Sequence, residues 1–201
     1  MSNKIMGFFQ TANNLSIDFV NTLAAHNGKA LELLTSFEDL FEWATVMNML
    51  TDEQAKKMLE GWQNDGDESL SNVLAFRKIL FEMFGGIVKN EVVRSTSIKA
   101  INSILRRQIG FPEVEETENG FVRSYRADYT EPQQLLLPIA EAAADLLCYG
   151  NLANVKKCEN EKCVLLFYDI SKNHSRRWCS MAHCGNQAKA AKFYKRKRVR
   201  N

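Results

Sequence analysis

Apolar residues recur at helical spacing through most of the first 150 positions. Phe37, Leu40, Phe41, Ala44, Met47 and Leu50 fall at i, i+3 and i+4 intervals, which stacks them on one face of a helix. Ser36 stands where an N-cap belongs. Thr51 with Gln54 makes a capping box that opens a second helix over 52–63, with Trp62 closing its apolar side. Asn64-Asp65-Gly66-Asp67 reads as a turn. A longer helix over 68–90 carries Val73, Leu74, Phe76, Ile79, Leu80, Met83, Phe84, Ile87 and Val88, and the adjacent Gly85-Gly86 predicts a weak point or kink within it. The next helix, over 96–109, turns Ile98, Ile101, Ile104 and Leu105 inward.

The period changes at 111–132. Glu115 to Gly120 has turn composition, and Phe121 to Arg126 alternates, which predicts a β-hairpin. Helical spacing returns over 133–150 through Leu136, Leu137, Ile139, Ala140, Ala143, Leu146 and Leu147, with Gly150 as the stop. Cys148 falls on that apolar face and is expected to be a small buried hydrophobe. The expected fold is mainly α: a helical N-terminal domain with a small β-hairpin, residues 1–152, then a small module ending in a basic helix, residues 153–201.

Charge sharpens that division. The net charge of +2 over 201 residues conceals 13 Lys/Arg against 3 Asp/Glu in 156–201, a balance of +10, so residues 1–155 carry −8. The basic segment suits polyanions and the acidic one does not. The first residues hold one lysine and no apolar run of signal-peptide length, and no stretch approaches the ~20 apolar residues of a membrane span. A cytoplasmic protein with no membrane partner is expected, and in that reducing compartment five cysteines point to metal or chemistry rather than disulfides.

Four of those cysteines are paired: Cys158-x4-Cys163, fifteen intervening residues, then Cys179-x4-Cys184. Two close pairs joined by a short loop suit one tetrahedral zinc ion, each turn supplying two thiolates. Four thiolates leave no open coordination position, so the zinc is structural. An iron–sulfur cluster uses the same ligand type. His174 or His183 could replace a thiolate but stands outside the paired spacing, and four free thiols in an ordinary core remain the plain alternative. Val164 to Tyr168 suits a short strand covering the metal, and a segment this small needs metal binding to supply its folding free energy.

After Cys184 the run 185–198 has high helix propensity, with Asn186 as its cap and Lys189, Lys192, Lys195 and Arg196 as a basic stripe. Together with Arg176 and Arg177 it forms a surface that would bind phosphates by counterion release, and Trp178, Phe193 or Tyr194 could stack on bases. The competing explanation is a solvated helix end whose cations complement the helix dipole.

Asp169-x-Ser171, Arg176-Arg177-Trp178-Cys179-Ser180-Met181 and Cys184-Gly185-Asn186-Gln187 together resemble the CGNR zinc finger. Ile17-Asp18-Phe19-Val20-Asn21-Thr22 resembles the LDFVNT signature of the ABATE domain, which precedes that finger in bacterial proteins. The resemblance implies a zinc-finger DNA-binding protein, a bacterial transcription regulator of the stress response, with DNA as partner. The final Arg of the finger's motif is Gln187 here; if that Arg contacts a phosphate this chain lacks the contact, with Lys189 close by, and the zinc ligands are untouched. A sensing role for the N-terminal domain would place Asp18, Asn21 and Thr22 in a small-molecule pocket, although Asn21 and Thr22 also suit capping of backbone groups. The pattern leaves room for a small-molecule effector and a homodimer. The alternative function is a zinc-stabilised protein–protein module that touches no nucleic acid. Catalysis is not expected, since no nucleophile–base pair is visible and His26 is the only histidine of the first segment.

Overall fold

A computed structural model describes residues 7–26, 29–62, 66–107, 110–118, 120–126 and 132–191. The chain opens on an element that the periodicity does not announce. Helix α1 (Leu15–Val20) is only six residues long, yet Ser16, Ile17, Asp18, Phe19 and Val20 are all buried. A helix so short cannot be stable alone; it is held by packing on every side. Asn14 starts it, the side-chain oxygen accepting from the Ile17 N–H at 3.2 Å.

An antiparallel hairpin follows, β1 (Leu23–His26) with β2 (Lys29–Glu32). It too was absent from the sequence expectation. Its signal was available: Asn27-Gly28, a turn dipeptide, lies between two short runs, though these two residues are outside the described ones. Helix α2 (Phe37–Val46) begins with Ser36 as its cap, in a capping box whose other half is Asp39. Helix α3 (Asp52–Gly61) opens on the expected Thr51–Gln54 box. Asn48 closes the end of α2 at φ 57°, with Met49 N–H reaching back to Ala44 O at 2.9 Å.

Helix α4 (Gly66–Val88) runs through Gly85-Gly86 without interruption. Two residues past its end at Val88 the chain turns at Asn90, φ 60°, and the Glu91 N–H bonds Gly86 O at 2.9 Å. Helix α5 (Ser95–Leu105) is shorter than expected. The expected hairpin forms from β3 (Phe111–Thr117) and β4 (Gly120–Arg126), but Glu115, Glu116 and Thr117, expected in the turn, pair within β3 instead. The 133–150 helix is in two parts, a 3-10 turn at Pro132–Leu136 and then α6 (Leu137–Tyr149). Gly150 stops it for a steric reason, not a left-handed one: its φ is −82°, and a Cβ there would lie 2.5 Å from Leu146 Cδ1. Cys148 corrects its expectation, because it is exposed on the outer side of α6.

The core gathers α1, α2, α4, α5 and α6 around Phe19 and Trp43, whose rings lie 5.3 Å apart. The same apolar cluster continues into the C-terminal segment through Val155, Leu165, Leu166 and Phe167, the last fully buried. There β5 (Val155–Lys157) pairs antiparallel with β6 (Leu166–Tyr168), and α1 packs on β6 while α4 packs on β5. No helix among the described residues is long and apolar enough to cross a membrane.

Candidate metal centre and its attachment

The β5–β6 ladder delivers the first cysteine. Cys158 follows β5 directly, and its N–H bonds Leu165 O at 2.9 Å. Between them the chain turns on Asn160, whose carbonyl accepts from the Cys163 N–H at 2.8 Å and whose side chain accepts from the Lys162 N–H at 3.1 Å. Cys179 enters from the long loop, and a π-helical turn, Met181–Gly185, folds Cys184 back beside it, with Gly185 N–H bonded to Ser180 O at 3.0 Å. The Glu159 N–H to Arg177 O bond, 3.0 Å, draws the two turns together.

The four sulfurs thereby converge. All lie within 4.8 Å of one another, with Cys163–Cys179 at 3.8 Å and Cys179–Cys184 at 3.7 Å. A tetrahedron with metal–sulfur bonds of ~2.3 Å has edges of ~3.8 Å, whereas a disulfide needs ~2.05 Å. The cysteines are unpaired covalently, and Cys158, Cys179 and Cys184 are buried. Their mutual electrostatics also calls for a cation. Hydrogen bonds from Cys163 and then Cys179 pull the Cys158 thiol down to about 2. The same bond seen from Cys163, with the charge on Cys158, pushes that thiol up to about 12, and Cys179 is driven up in the same way. Without a cation one thiolate forms at its neighbours' expense; a dication at the centre makes all of them favourable. Neither histidine joins the cluster: His174 Nδ1 lies 3.0 Å from Asp169 O, and His183 Nδ1 lies 3.5 Å from Ser180 Oγ.

The loop between the pairs is built on Asp169, fully buried. Its carboxylate takes Lys156 Nζ at 2.7 Å, the Ser171 N–H and hydroxyl at 3.0 and 2.6 Å, and the Arg176 N–H at 2.9 Å. Burial by itself would raise this carboxyl; the hydrogen bonds from Lys156, Ser171 and Arg176 overcome it and hold the group well below the usual carboxylate range. His174, at φ 47°, closes the turn.

The basic residues divide. Arg176, one of the expected phosphate ligands, turns its guanidinium inward. It donates to Thr11 O at 2.8 Å, Trp178 O at 3.0 Å and Cys179 O, and it stacks 4.3 Å over the Phe167 ring. Arg177 is exposed, paired with Glu159 (Nε–Oε2 2.7 Å) and set over Trp178. Lys189 is exposed on the helical run 186–191. Lys192, Lys195 and Arg196 lie outside the described residues. Asn186 does not cap this run, which already begins at the π turn; its amide donates to Ala182 O at 3.1 Å.

Asp18, Asn21 and Thr22, the residues expected to line a pocket, all have side chains bonded within the chain itself. Asp18 Oδ1 accepts from the N–H groups of Thr11 and Ala12 at 2.9 and 3.0 Å. Desolvation nonetheless raises its pKa to about 6, against those two backbone bonds and the charge of Arg176. Thr22 donates to Phe19 O at 2.7 Å and accepts from Arg77 Nη1 at 2.8 Å, where Arg77 also pairs with Glu32. Asn21 carries the most consequence. Its amide accepts from the Leu166 N–H and donates to Leu166 O, both at 2.9 Å, so one side chain acts as the next strand beside β6.

The segment before α1 completes the joint, with Tyr168 N–H bonded to Ala12 O at 2.8 Å and Asn13 Nδ2 to Tyr168 O at 3.0 Å. The residues from Ala12 through Asn21 thus form the seat of the cysteine-bearing sheet. Comparison with family models adds the decisive match: the ABATE model, described as "Putative stress-induced transcription regulator", covers residues 13–150. The chain belongs to the ABATE family. The CGNR zinc finger model matches residues 154–197, which includes all four cysteines. No curated protein matches the chain. In this ABATE member Asn21 attaches the cysteine-bearing sheet, and Gln187, where the finger's motif has Arg, accepts from Asn160 Nδ2 at 3.0 Å and so ties the two cysteine turns together.

Proposed function

We propose that this ABATE protein is a bacterial, cytoplasmic transcription regulator whose four-cysteine finger holds structural zinc and binds DNA, with a binding rather than catalytic role. One observation carries the DNA reading: segment 156–201 has 13 basic residues and 3 acidic ones, a balance of +10. Asp169 is buried against Lys156, and Glu159 pairs with Arg177 at the surface. An excess of positive charge of this size is the pattern that drives counterion release from a polyanion. Zinc fits the donor set because four thiolates at tetrahedral separations suit a closed, non-redox site. Zinc bound to Cys158, Cys163, Cys179 and Cys184 would supply the cross-link that fixes both turns, while Asp169 and Arg176 orient the intervening loop.

The test is metal analysis of purified protein followed by an electrophoretic mobility shift with and without chelator, across a salt series. One equivalent of zinc, binding lost on chelation, and a slope reduced by about 2–3 in the Lys192, Lys195 and Arg196 triple alanine variant are expected. An unchanged slope refutes phosphate contact by this stripe. Absence of any shift, with a nuclease-insensitive protein partner captured instead, would favour the protein–protein module.

A further inference from the structure

The β3–β4 hairpin stands apart from the helical core. Its two seven-residue strands pack on each other and make no extensive contact with another element among the described residues. A two-stranded hairpin alone in water is marginal; it needs a further strand or a packed face. The register sets Val114 opposite Arg123 and Glu116 opposite Phe121, so these four side chains share one face. On that face Val114 and Phe121 occupy one diagonal, 74% and 76% exposed, and Glu116 and Arg123 occupy the other. Diagonal neighbours are ~7–8 Å apart. Neither Glu116 nor Arg123 is ion-paired among the described residues. The edges are poor docking sites: β3 carries Glu113, Glu115 and Glu116, and Pro112 has no N–H to give, so pairing with the same strand of another molecule sets like charges side by side. The face is different, because its pattern is complementary to itself.

We infer that this face docks on the same face of a second copy of the chain. The two hairpins cross at about 90°, one of the two ways in which sheets pack, around a two-fold axis that runs along the Val114–Phe121 diagonal. Val114 then meets Val114, Phe121 meets Phe121, and each Glu116 meets Arg123 of the second copy. Rotation about the other diagonal stacks Glu116 on Glu116 and Arg123 on Arg123, and aligned strands set Val114 against a charge. The crossed arrangement satisfies all four positions. A foreign protein would have to reproduce this chequered pattern, whereas a second copy carries it by construction. A polyanion is disfavoured by Glu113, Glu115, Glu116 and Glu118. The face of so short a hairpin is well under the ~800 Å² per partner of a standard interface, so the dimer is weak, with a dissociation constant on the order of 100 μM. The joint uses neither the cysteines nor the basic segment, so it is independent of zinc and of DNA binding.

The experiment is sedimentation velocity of the full-length, zinc-loaded protein between about 5 μM and about 1 mM, without nucleic acid. The parent's mean mass rises toward that of a dimer across this range. Phe121→Lys weakens the association at least about tenfold. Glu116→Arg and Arg123→Glu each weaken it about tenfold, by setting like charges together. The variant with both changes recovers the parent's affinity. An equimolar mixture of the two single variants associates more tightly than either does alone, because both charge pairs are then opposite in sign. All three side chains are exposed, so zinc content and the urea midpoint stay at the parent's values. A parent that stays monomeric throughout, Phe121→Lys that associates like the parent, or a mixture no tighter than its components overturns the inference. So does a monomeric parent whose amides in 112–123 shift on titration with duplex DNA, which would assign the arm to nucleic acid.

Discussion

Replacing Asn21 by alanine tests the joint between the ABATE fold and the finger. Asn21 is 2% exposed, and its amide satisfies both backbone groups of Leu166 at 2.9 Å. Truncation leaves a buried N–H and a buried C=O without partners, each costing about 1–3 kcal/mol. A water entering the small void recovers part of that, so the net loss is about 3 kcal/mol. In urea unfolding of the zinc-loaded protein the midpoint falls while the slope stays constant, because the surface exposed on unfolding is the same. Leu166 lies three residues after Cys163, so the loss also reaches the metal: zinc affinity measured against a competing chelator falls about tenfold if roughly half of the lost stability is felt at the finger. Asn21→Asp sharpens the test. Its carboxylate still accepts from Leu166 N–H but faces Leu166 O with a negative oxygen. Protonation restores the donor, so the native state takes up the proton more readily than the unfolded chain, and this variant gains stability as pH falls toward the carboxylate range. A midpoint shift equivalent to less than about 0.5 kcal/mol in the alanine variant, with zinc affinity unchanged, refutes the reasoning.

Further outcomes follow from the same contacts. Chelation of the zinc should raise amide exchange not only at Leu166 and Tyr168 but also in residues 11–13, because Tyr168, Asn13 and Arg176 bind across that boundary; exchange confined to 158–191 would contradict the shared joint. Asp169→Asn should cost about 3 kcal/mol at neutral pH by leaving Lys156 unpaired in a half-buried site, as read by thermal or urea unfolding. Since the native Asp169 carboxyl is depressed, the unfolded chain binds its proton first: the parent keeps this stability above about pH 4 and loses it below, whereas the variant shows no such fall from this position. Arg176→Lys should lower stability by about 2 kcal/mol, since an ammonium cannot serve three carbonyls and stack on Phe167 together. Arg177→Ala should cost under about 0.5 kcal/mol, its ion pair being exposed, and a mobility shift should show weaker DNA binding with a shallower salt slope. Equal stability losses in the two arginine variants would remove the distinction between an inward and an outward guanidinium.

By itself the sequence determined the parts whose signals are local. Helical spacing, the Ser36 and Thr51 caps, the 111–126 hairpin and the two Cys-x4-Cys turns each depend on residues a few positions apart, and the paired thiol chemistry pointed to one metal without knowledge of the fold. Gly150 also read correctly as a stop, although its reason, the proximity of Leu146, is steric. The tertiary structure decided where side chains of ambiguous chemistry point. Arg176 and Arg177 are adjacent and identical, yet one faces three carbonyls and the other faces solvent, because the turn around Asp169 fixes the chain direction between them. Asn21 suited both a ligand and backbone groups; packing of α1 against β6, some 145 residues away in sequence, brought it the backbone groups of Leu166. A six-residue helix carries too little propensity to be visible in the chain, and it exists because the core surrounds it.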